Sequence, residues 1–226
     1  MSTSSLSAAY ERDGFLIVPG LISPAECDQL KVEARKVLDA KSNSGSTVCL
    51  FAALNNPAFR ALAEDPRIVD VLRAIMPDGV MFLNDKIVFK KSDKAFATPY
   101  HIDYFYWQGT RAKLSVWIPL DDVSAENGAL TVIPGSHKKE WKSVKGGVAG
   151  DFFNVVDGKG WQDSEVVVCS VVRGSAVIFS DRLVHGSTVN TAKKDRYVVI
   201  STYQAPAADE PFDLDFPVRK VLVPAK

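Results

Sequence analysis

The sequence predicts a mainly β protein of the double-sheet jelly-roll class, buttressed by helices at its N-terminal end. Helix signals occupy the first third of the chain, and short β-rich runs follow one another from residue 80 onwards. Strands and helices do not alternate after that point, which excludes a doubly wound parallel sheet. We expect one domain over residues 1–226, with a helical part at about 1–79 and a jelly-roll core at about 80–226.

The clearest predicted helix is SPAECDQLKVEARKVLDAK, at residues 23–41. Ser23 is a favourable N-cap, Pro24 suits the first helical position and Glu26 completes a capping box. Apolar side chains recur along this segment at helical spacing. Two shorter helices are predicted within residues 55–79, because Asn-Pro and Asp-Pro are common at helix starts.

The remaining segments have the patterns of strands and loops. GFLIVPGLIS follows a polar tail and predicts a strand and a turn, whereas residues 42–57 are loop-like in composition. A long insert at residues 137–164 is expected to cover a pocket. The predicted core strands are VMFLNDKIVFK, PYHIDYFYW, AKLSVWIPL, GALTVIPG, SEVVVCSVV, SAVIFS and RYVVISTYQ.

Composition narrows the class of protein. Of 226 residues, 46% are hydrophobic, which is enough for a sizeable core. Basic and acidic residues each number 27, and no basic stripe is present, so we expect no nucleic-acid partner. The three cysteines are widely spaced, and no apolar run has the length of a signal peptide or a membrane span. We therefore expect a cytoplasmic protein without a membrane partner; the pattern indicates no particular oligomeric state.

A candidate metal site lies in the stretch TPYHIDYFYW. On a strand, residues two apart face the same way, so His101 and Asp103 are expected to point together. His185 comes at the predicted end of another strand and supplies a third ligand. Two histidines and one carboxylate on one face suit iron(II), because they leave positions for a chelating cosubstrate and O2. Zinc is an alternative metal. A hydrogen-bonded pair of His101 and Asp103 without a metal also stays open.

Arg196 begins the apolar strand RYVVISTYQ, eleven residues after His185. A buried guanidinium needs an anion, and its planar fork suits a carboxylate. A dicarboxylate fits both ends of such a site: the α-keto acid end of 2-oxoglutarate would chelate iron, and its distal carboxylate would meet Arg196. The alternative is a surface arginine paired with Asp195.

The order of several segments resembles the phytanoyl-CoA dioxygenase family of iron(II)- and 2-oxoglutarate-dependent oxygenases. The resemblance rests on YERDGFLIVPGLISPAECDQL, HIDYFYW, LSVWIPLDDVSAENGALTVIPGSHK, RGSAVIFSDRLVHGS and the spacing of Arg196. It implies a cupin-like double-stranded β-helix core. It also implies that His101, Asp103 and His185 bind iron and that Arg196 holds the distal carboxylate of 2-oxoglutarate.

The resemblance extends to further cosubstrate contacts. Ser187 matches a small hydroxyl position beside the cosubstrate, and Trp117 matches a position that lines its pocket, although a plain core role for Trp117 stays open. On the strand before the triad, Asn84, Lys86 and Lys90 share a face, and one of them is expected to contact 2-oxoglutarate. The sequence does not choose among the three.

The predicted function is a dioxygenase that oxidises an unactivated C–H bond of a small-molecule metabolite, such as a natural-product intermediate. Hydroxylation is the expected outcome, with desaturation or ring closure as variants, and succinate and CO2 are released. Aromatic residues Tyr104, Tyr106 and Phe51 are expected to contact the substrate. A non-catalytic jelly-roll binding module and a zinc-dependent hydrolase are the alternatives.

Overall fold

The computed structural model describes residues 3–40, 48–92, 96–107, 111–146, 153–207 and 216–225. The helices of this part of the chain are α1 (Thr3–Asp13), α2 (Pro24–Ala40), α3 (Ala52–Asn55), α4 (Pro57–Ala63) and α5 (Pro66–Ile75). Its strands are β1 (Phe15–Val18), β2 (Val48–Leu50), β3 (Val80–Lys90), β4 (Thr98–His101), β5 (Lys113–Pro119), β6 (Leu130–Val132), β7 (Ser143–Lys145), β8 (Asn154–Val156), β9 (Val167–Val168), β10 (Ala176–Ser180), β11 (His185–Ser187), β12 (Arg196–Gln204) and β13 (Lys220–Val223).

Two antiparallel sheets form the β architecture. The larger sheet has the order β1-β10-β5-β12-β3-β13, and β2 also pairs with β3. The smaller sheet has the order β4-β11-β6-β9, and β7 and β8 form a separate two-stranded ribbon. The prediction of a mainly β jelly roll with N-terminal helices is confirmed.

The larger sheet separates two layers of packing. On β12, Tyr197 and Val199 pack into the core that the helices share, whereas Val198 and Ile200 belong to the cluster on the other face. This alternation is the period of two that a strand imposes on its side chains. One face of the sheet is therefore covered by helices, and the other is available for a site.

The predicted helix starts are confirmed by their caps. Ser23 and Glu26 form the expected capping box: the Ser23 N–H donates to the Glu26 carboxylate (2.7 Å), and the Glu26 N–H donates to Ser23 Oγ (3.3 Å). The side chains of Asn56 and Asp65 accept from the first turns of α4 and α5. These bonds satisfy backbone donors that a helix cannot satisfy internally.

Three segments differ from the sequence predictions. The polar N-terminal tail, for which the sequence predicted no helix, forms α1, whose apolar residues Leu6 and Tyr10 pack against the helical core. Part of the tract expected to be a loop forms β2 and α3, and residues 42–47 of that tract lie outside the described residues. The ribbon of β7 and β8 lies within the insert. In each case tertiary contacts outweigh weak local propensity. In the described ranges, no helix has the length and apolarity needed to cross a bilayer.

Asp85 of β3 accepts hydrogen bonds from the backbone at the N-terminal end of α3. Its backbone oxygen accepts from Phe51 N–H (2.8 Å), and its carboxylate accepts from Ala53 N–H (2.9 Å). Phe51 has a φ of 62°, in the left-handed region that is costly for a bulky residue. Burial raises the pKa of Asp85 to about 6, although the Ala53 hydrogen bond lowers it in part.

Asp85 should make the stability of the protein pH-dependent. Between about pH 4 and pH 6 the Asp85 carboxyl of the folded state binds a proton that the unfolded chain has released, so the contribution of Asp85 to the free energy of unfolding should fall as pH rises through this range. Asp85→Asn should remove this contribution and stabilise the protein by about 2 kcal/mol at pH 7.5. Urea unfolding at pH 4.5 and pH 7.5 measures the effect, with the exposed Asp70→Asn variant as control. Equal pH dependence in wild type and Asp85→Asn would contradict it.

Candidate metal and cosubstrate site

Neighbouring strands of the smaller sheet bring the three predicted metal ligands together. The register of β4 and β11 pairs His101 with His185. β4 ends at His101 and Asp103 begins a short 3-10 helix, so the two do not share one continuous strand as the sequence analysis expected. Ile102 nevertheless keeps extended backbone angles (φ −118°, ψ 139°), and its side chain packs in a separate apolar cluster with Val184. The alternation that places His101 and Asp103 on one side is therefore preserved.

The ligand atoms converge closely. Asp103 Oδ1 lies 3.8 Å from Nε2 of His101 and 3.8 Å from Nε2 of His185, and one ligand atom of each residue falls within 4.8 Å of the others. Nδ1 of His101 lies 2.8 Å from the Pro99 carbonyl, and Nδ1 of His185 lies 2.9 Å from the Leu183 carbonyl. When Nδ1 donates its proton to these carbonyls, Nε2 presents a lone pair to a metal.

The electrostatics of the cluster suit a divalent cation. Burial lowers the pKa of His101 to about 3, with the neighbouring His185 adding to the effect, and burial also lowers the pKa of His185. Burial alone would raise the pKa of Asp103, but Lys86, the two histidines and a hydrogen bond from Ser115 hold it below its usual value. Neutral imidazoles and an ionised carboxylate are the protonation states that metal binding requires. The donor set therefore fits iron(II).

Ser115 of β5 orients the carboxylate and was not predicted from the sequence. Its Oγ donates to Asp103 Oδ2 (3.2 Å), and it is buried. One feature of the sequence could have indicated it. Ser115 lies two residues before Trp117, and alternate residues of a strand share a face, so both side chains face the predicted cosubstrate pocket.

Ser115→Ala should weaken iron(II) binding about tenfold, since outer-shell partners of a metal ligand typically contribute 10–100-fold to affinity. Equilibrium titration with iron(II) under anaerobic conditions measures the change. Ser143→Ala, on the exposed strand β7, is the matched control. Unchanged affinity in Ser115→Ala would show that Asp103 needs no such partner.

Arg196 is buried at the start of β12 with only 2% of its surface exposed, which excludes the alternative of a surface pair with Asp195. Its Nη2 donates to the Gly128 carbonyl (2.7 Å), whereas Nε and Nη1 have no hydrogen-bond partner among the described residues. Burial lowers its pKa to about 10, so it remains charged at neutral pH. A buried cation with two unmatched donors is costly unless an anion binds to it.

Gly128 permits the close approach of the guanidinium. Its φ is 88°, and a Cβ at this position would lie 3.1 Å from Nη2 of Arg196 and 2.6 Å from Cδ of Lys90. A side chain here would displace both cations. The ENG stretch of the segment LSVWIPLDDVSAENGALTVIPGSHK thus has a specific reason to contain glycine.

One cavity of about 460 Å³ contains both the triad and Arg196. Of the residues predicted to bind cosubstrate or substrate, Asn84, Trp117, Ser187, Phe51 and Tyr106 line it. The Trp117 ring lies 5.8 Å from the Arg196 guanidinium carbon. Further lining residues are Val48, Leu50, Lys86, Val88, Phe96, Thr98, Trp107, Leu130, Phe179, Gly186, Ile200 and Thr202.

Two predicted site residues lie away from this lining. Lys90 is buried and donates to the carbonyls of Phe96 (2.9 Å) and Thr188 (2.6 Å), so its ammonium fixes two backbone segments. Burial and, secondarily, Arg196 lower its pKa to about 7. Tyr104 is 39% exposed and stacks against Arg182 at 4.1 Å. It turns outward because Asp103–Phe105 is a 3-10 helix, in which a strand's alternation no longer applies.

A jelly roll with a two-histidine, one-aspartate cluster and a buried arginine in the same cavity defines the class of iron(II)- and 2-oxoglutarate-dependent oxygenases. The chain belongs to the phytanoyl-CoA dioxygenase family, whose model matches residues 10–198. The donor set and the buried arginine fit the iron(II), 2-oxoglutarate and O2 chemistry of that class. The family expected from the sequence is thereby confirmed.

Curated relatives agree with this class. Over 175 residues the chain is 27% identical to a probable alpha-ketoglutarate-dependent hypophosphite dioxygenase of Stutzerimonas stutzeri, a match that covers 73% of this chain and 61% of that protein. It therefore spans less than two thirds of that relative. It is 24% identical over 242 residues to ectoine dioxygenase of Sphingopyxis alaskensis, covering 93% of this chain and 79% of that enzyme.

Solved structures share the fold. The non-heme alpha ketoglutarate dependent carbocyclase SnoK from nogalamycin biosynthesis superposes with a TM-score of 0.76 at 20% identity, covering 99% of this chain and 96% of that chain. EctD from S. alaskensis, in complex with 2-oxoglutarate and 5-hydroxyectoine, gives a TM-score of 0.72 at 21% identity, with coverages of 91% and 76%.

Proposed function

We propose that this chain hydroxylates an unactivated C–H bond of a small-molecule metabolite, releasing succinate and CO2. The observation that carries the proposal is the pair of unmatched donors on buried Arg196, in the same cavity as the His101, Asp103 and His185 cluster. One end of the cavity lining suits a metal, and the other suits a carboxylate. A cosubstrate with a chelating end and a distal carboxylate satisfies both.

In this proposal each residue has a distinct role. His101, Asp103 and His185 hold iron(II), and Arg196 binds the distal carboxylate of 2-oxoglutarate. Trp117 shields the guanidinium on one side, while Ser187 and Asn84 add polar groups to the lining. Ser187 Oγ already accepts from Thr98 N–H (3.2 Å), so its hydroxyl proton is available for a ligand.

Iron(II) and 2-oxoglutarate together supply the oxidising chemistry, activating O2 at the cost of the decarboxylation that gives succinate. The protein contributes position and exclusion of water. The apolar side chains of Phe179, Leu130 and Ile200 surround the polar groups, so charges in the cavity interact more strongly than they would in water. Asp103 remains ionised and balances part of the metal's charge.

The walls of the cavity favour a small substrate with an apolar part. Phe51, Tyr106, Trp107 and Leu50 line it. The Tyr106 hydroxyl donates to the Asn154 carbonyl (2.6 Å) and accepts from its N–H (2.9 Å), which ties this wall to the ribbon of the insert. Relatives named as ectoine dioxygenase and L-proline trans-4-hydroxylase support a compact metabolite, and the nogalamycin enzymes support a natural product.

A substrate screen by succinate release tests this function. The full chain with iron(II), 2-oxoglutarate and O2 is incubated with panels of amino acids, compatible solutes and aromatic natural-product precursors. A true substrate should raise succinate formation and gain one oxygen atom by mass spectrometry, in equal amounts. Turnover of a substrate without consumption of 2-oxoglutarate would contradict the proposal and favour hydrolysis at a different metal.

A further inference from the structure

Lys86 is a cavity residue that the roles above leave unassigned. It lies near the middle of β3, where the register pairs it with Ile200 of β12 on one side and Leu50 of β2 on the other. Its side chain lines the cavity, and its Nζ lies 5.9 Å from the centre of the Trp107 ring. The ammonium is therefore close to the apolar wall formed by Leu50, Phe51 and Trp107.

Lys86 and Lys90 lie on the same strand and have different surroundings. The Lys90 ammonium is held by two backbone carbonyls and lies outside the cavity lining. The Lys86 ammonium lies over the Trp107 ring and also interacts electrostatically with Asp103, but among the described residues no hydrogen bond or ion pair holds it. A cation over an aromatic ring keeps donors that an anionic ligand can use.

The charges in the cavity do not balance without a further anion. Among the described lining residues, Asp103 is the only acidic side chain. Iron(II) brings two positive charges and Arg196 one, and these are matched by Asp103 and the two carboxylates of 2-oxoglutarate. In this count one positive charge is left over at Lys86, a partly buried residue beside the apolar wall, and an anionic group on the molecule that binds there would balance it.

We propose that the Lys86 ammonium binds a carboxylate of the substrate, while Leu50, Phe51 and Trp107 hold the apolar part of the same molecule. The inference rests on the proposed function and adds a substrate class, a small carboxylic acid with an apolar or ring-bearing body. Lys86 acts as a specificity residue, since one charge-assisted bond in a shielded site discriminates strongly against the neutral amide of the same acid.

Matched acids and amides test this assignment. The probes are benzoate, phenylacetate, 3-phenylpropionate and cyclohexanecarboxylate, each with its primary amide. Binding to the full chain, loaded with iron(II) and 2-oxoglutarate without oxygen, is measured by calorimetry. In the wild type at least one acid should bind about tenfold more tightly than its amide. Lys86→Met should remove the preference while leaving amide binding within about twofold, and Lys86→Arg should retain it. Lys91→Met, at the exposed lysine that follows β3, is the control.

The outcomes separate this inference from the proposed function. Failure of the wild type to bind 2-oxoglutarate would overturn the proposed function itself. Normal 2-oxoglutarate binding, with no acid bound more tightly than its amide, would overturn the role of Lys86 alone. The same conclusion would follow if the preference survived in Lys86→Met, or if that variant mainly lost affinity for 2-oxoglutarate.

Discussion

Replacing Asp103 with alanine is expected to lower iron(II) affinity and 2-oxoglutarate turnover by more than about 100-fold, because removing one member of a buried, charged cluster typically costs about 3–5 kcal/mol. Asp103 is the one anionic ligand of the cluster, and its oxygen lies 3.8 Å from both histidine Nε2 atoms. Two neutral imidazoles alone cannot offset the desolvation of a divalent cation.

The fold of this variant should be intact. The Asp103 side chain borders the cavity, whereas the neighbouring Ile102 packs in the apolar cluster that includes residues of the insert. Removing the Asp103 carboxylate therefore takes no side chain out of the apolar core. Circular dichroism and the melting temperature of the metal-free protein check this point. Asp70→Ala, an exposed aspartate on α5, should retain full turnover. Iron binding at wild-type affinity in Asp103→Ala would remove Asp103 from the metal site.

Replacing Arg196 with methionine is expected to have two opposite effects. The apparent affinity for 2-oxoglutarate should fall by about 100-fold or more, because the distal carboxylate loses its buried partner. The cosubstrate-free protein should become as stable as the wild type or more stable, since methionine replaces a buried cation that has two unmatched donors. A merely structural arginine would give the reverse pattern, a loss of stability with normal cosubstrate binding.

Two measurements distinguish these effects. Thermal melting with and without 2-oxoglutarate in the presence of iron(II) should show ligand stabilisation in the wild type and little in Arg196→Met. Arg196→Lys should recover part of the affinity, because it restores charge without the planar fork. Arg73→Met, an exposed change on α5, is the control. Equal stabilisation by 2-oxoglutarate in all variants would show that Arg196 does not bind it.

Much of the architecture follows from local pattern. The capping residues Ser23, Asn56 and Asp65 mark helix starts, and the alternation along β12 separates helix-facing from cavity-facing residues. Capping residues and strand alternation are local features, so they can be recognised in a single sequence without knowledge of the tertiary structure. α1 and the ribbon in the insert are held by contacts distant in sequence, which local pattern cannot supply.

The residues of the candidate site also divide into those that local sequence pattern predicts and those that it does not. The spacing of His101 and Asp103 and the placement of Arg196 before an apolar strand predicted residues that the structure brings into one cavity. Tyr104 was misplaced because a 3-10 helix begins at Asp103 and ends the strand's alternation. Lys90 shares a face with Lys86 in sequence, but two carbonyls at the end of β3 capture its ammonium. Neither the 3-10 helix nor the capture of the Lys90 ammonium is visible in the pattern of side chains.

The most direct test of the account is an anaerobic titration of the metal-free protein with iron(II) and then 2-oxoglutarate, followed by visible absorption. The weak charge-transfer band of an iron–2-oxoglutarate chelate should appear in the wild type. It should be absent from Asp103→Ala, and from Arg196→Met at the same cosubstrate concentration. If iron(II) binds to the wild type and no band forms on saturation with 2-oxoglutarate, the triad and Arg196 do not form a common site for metal and cosubstrate.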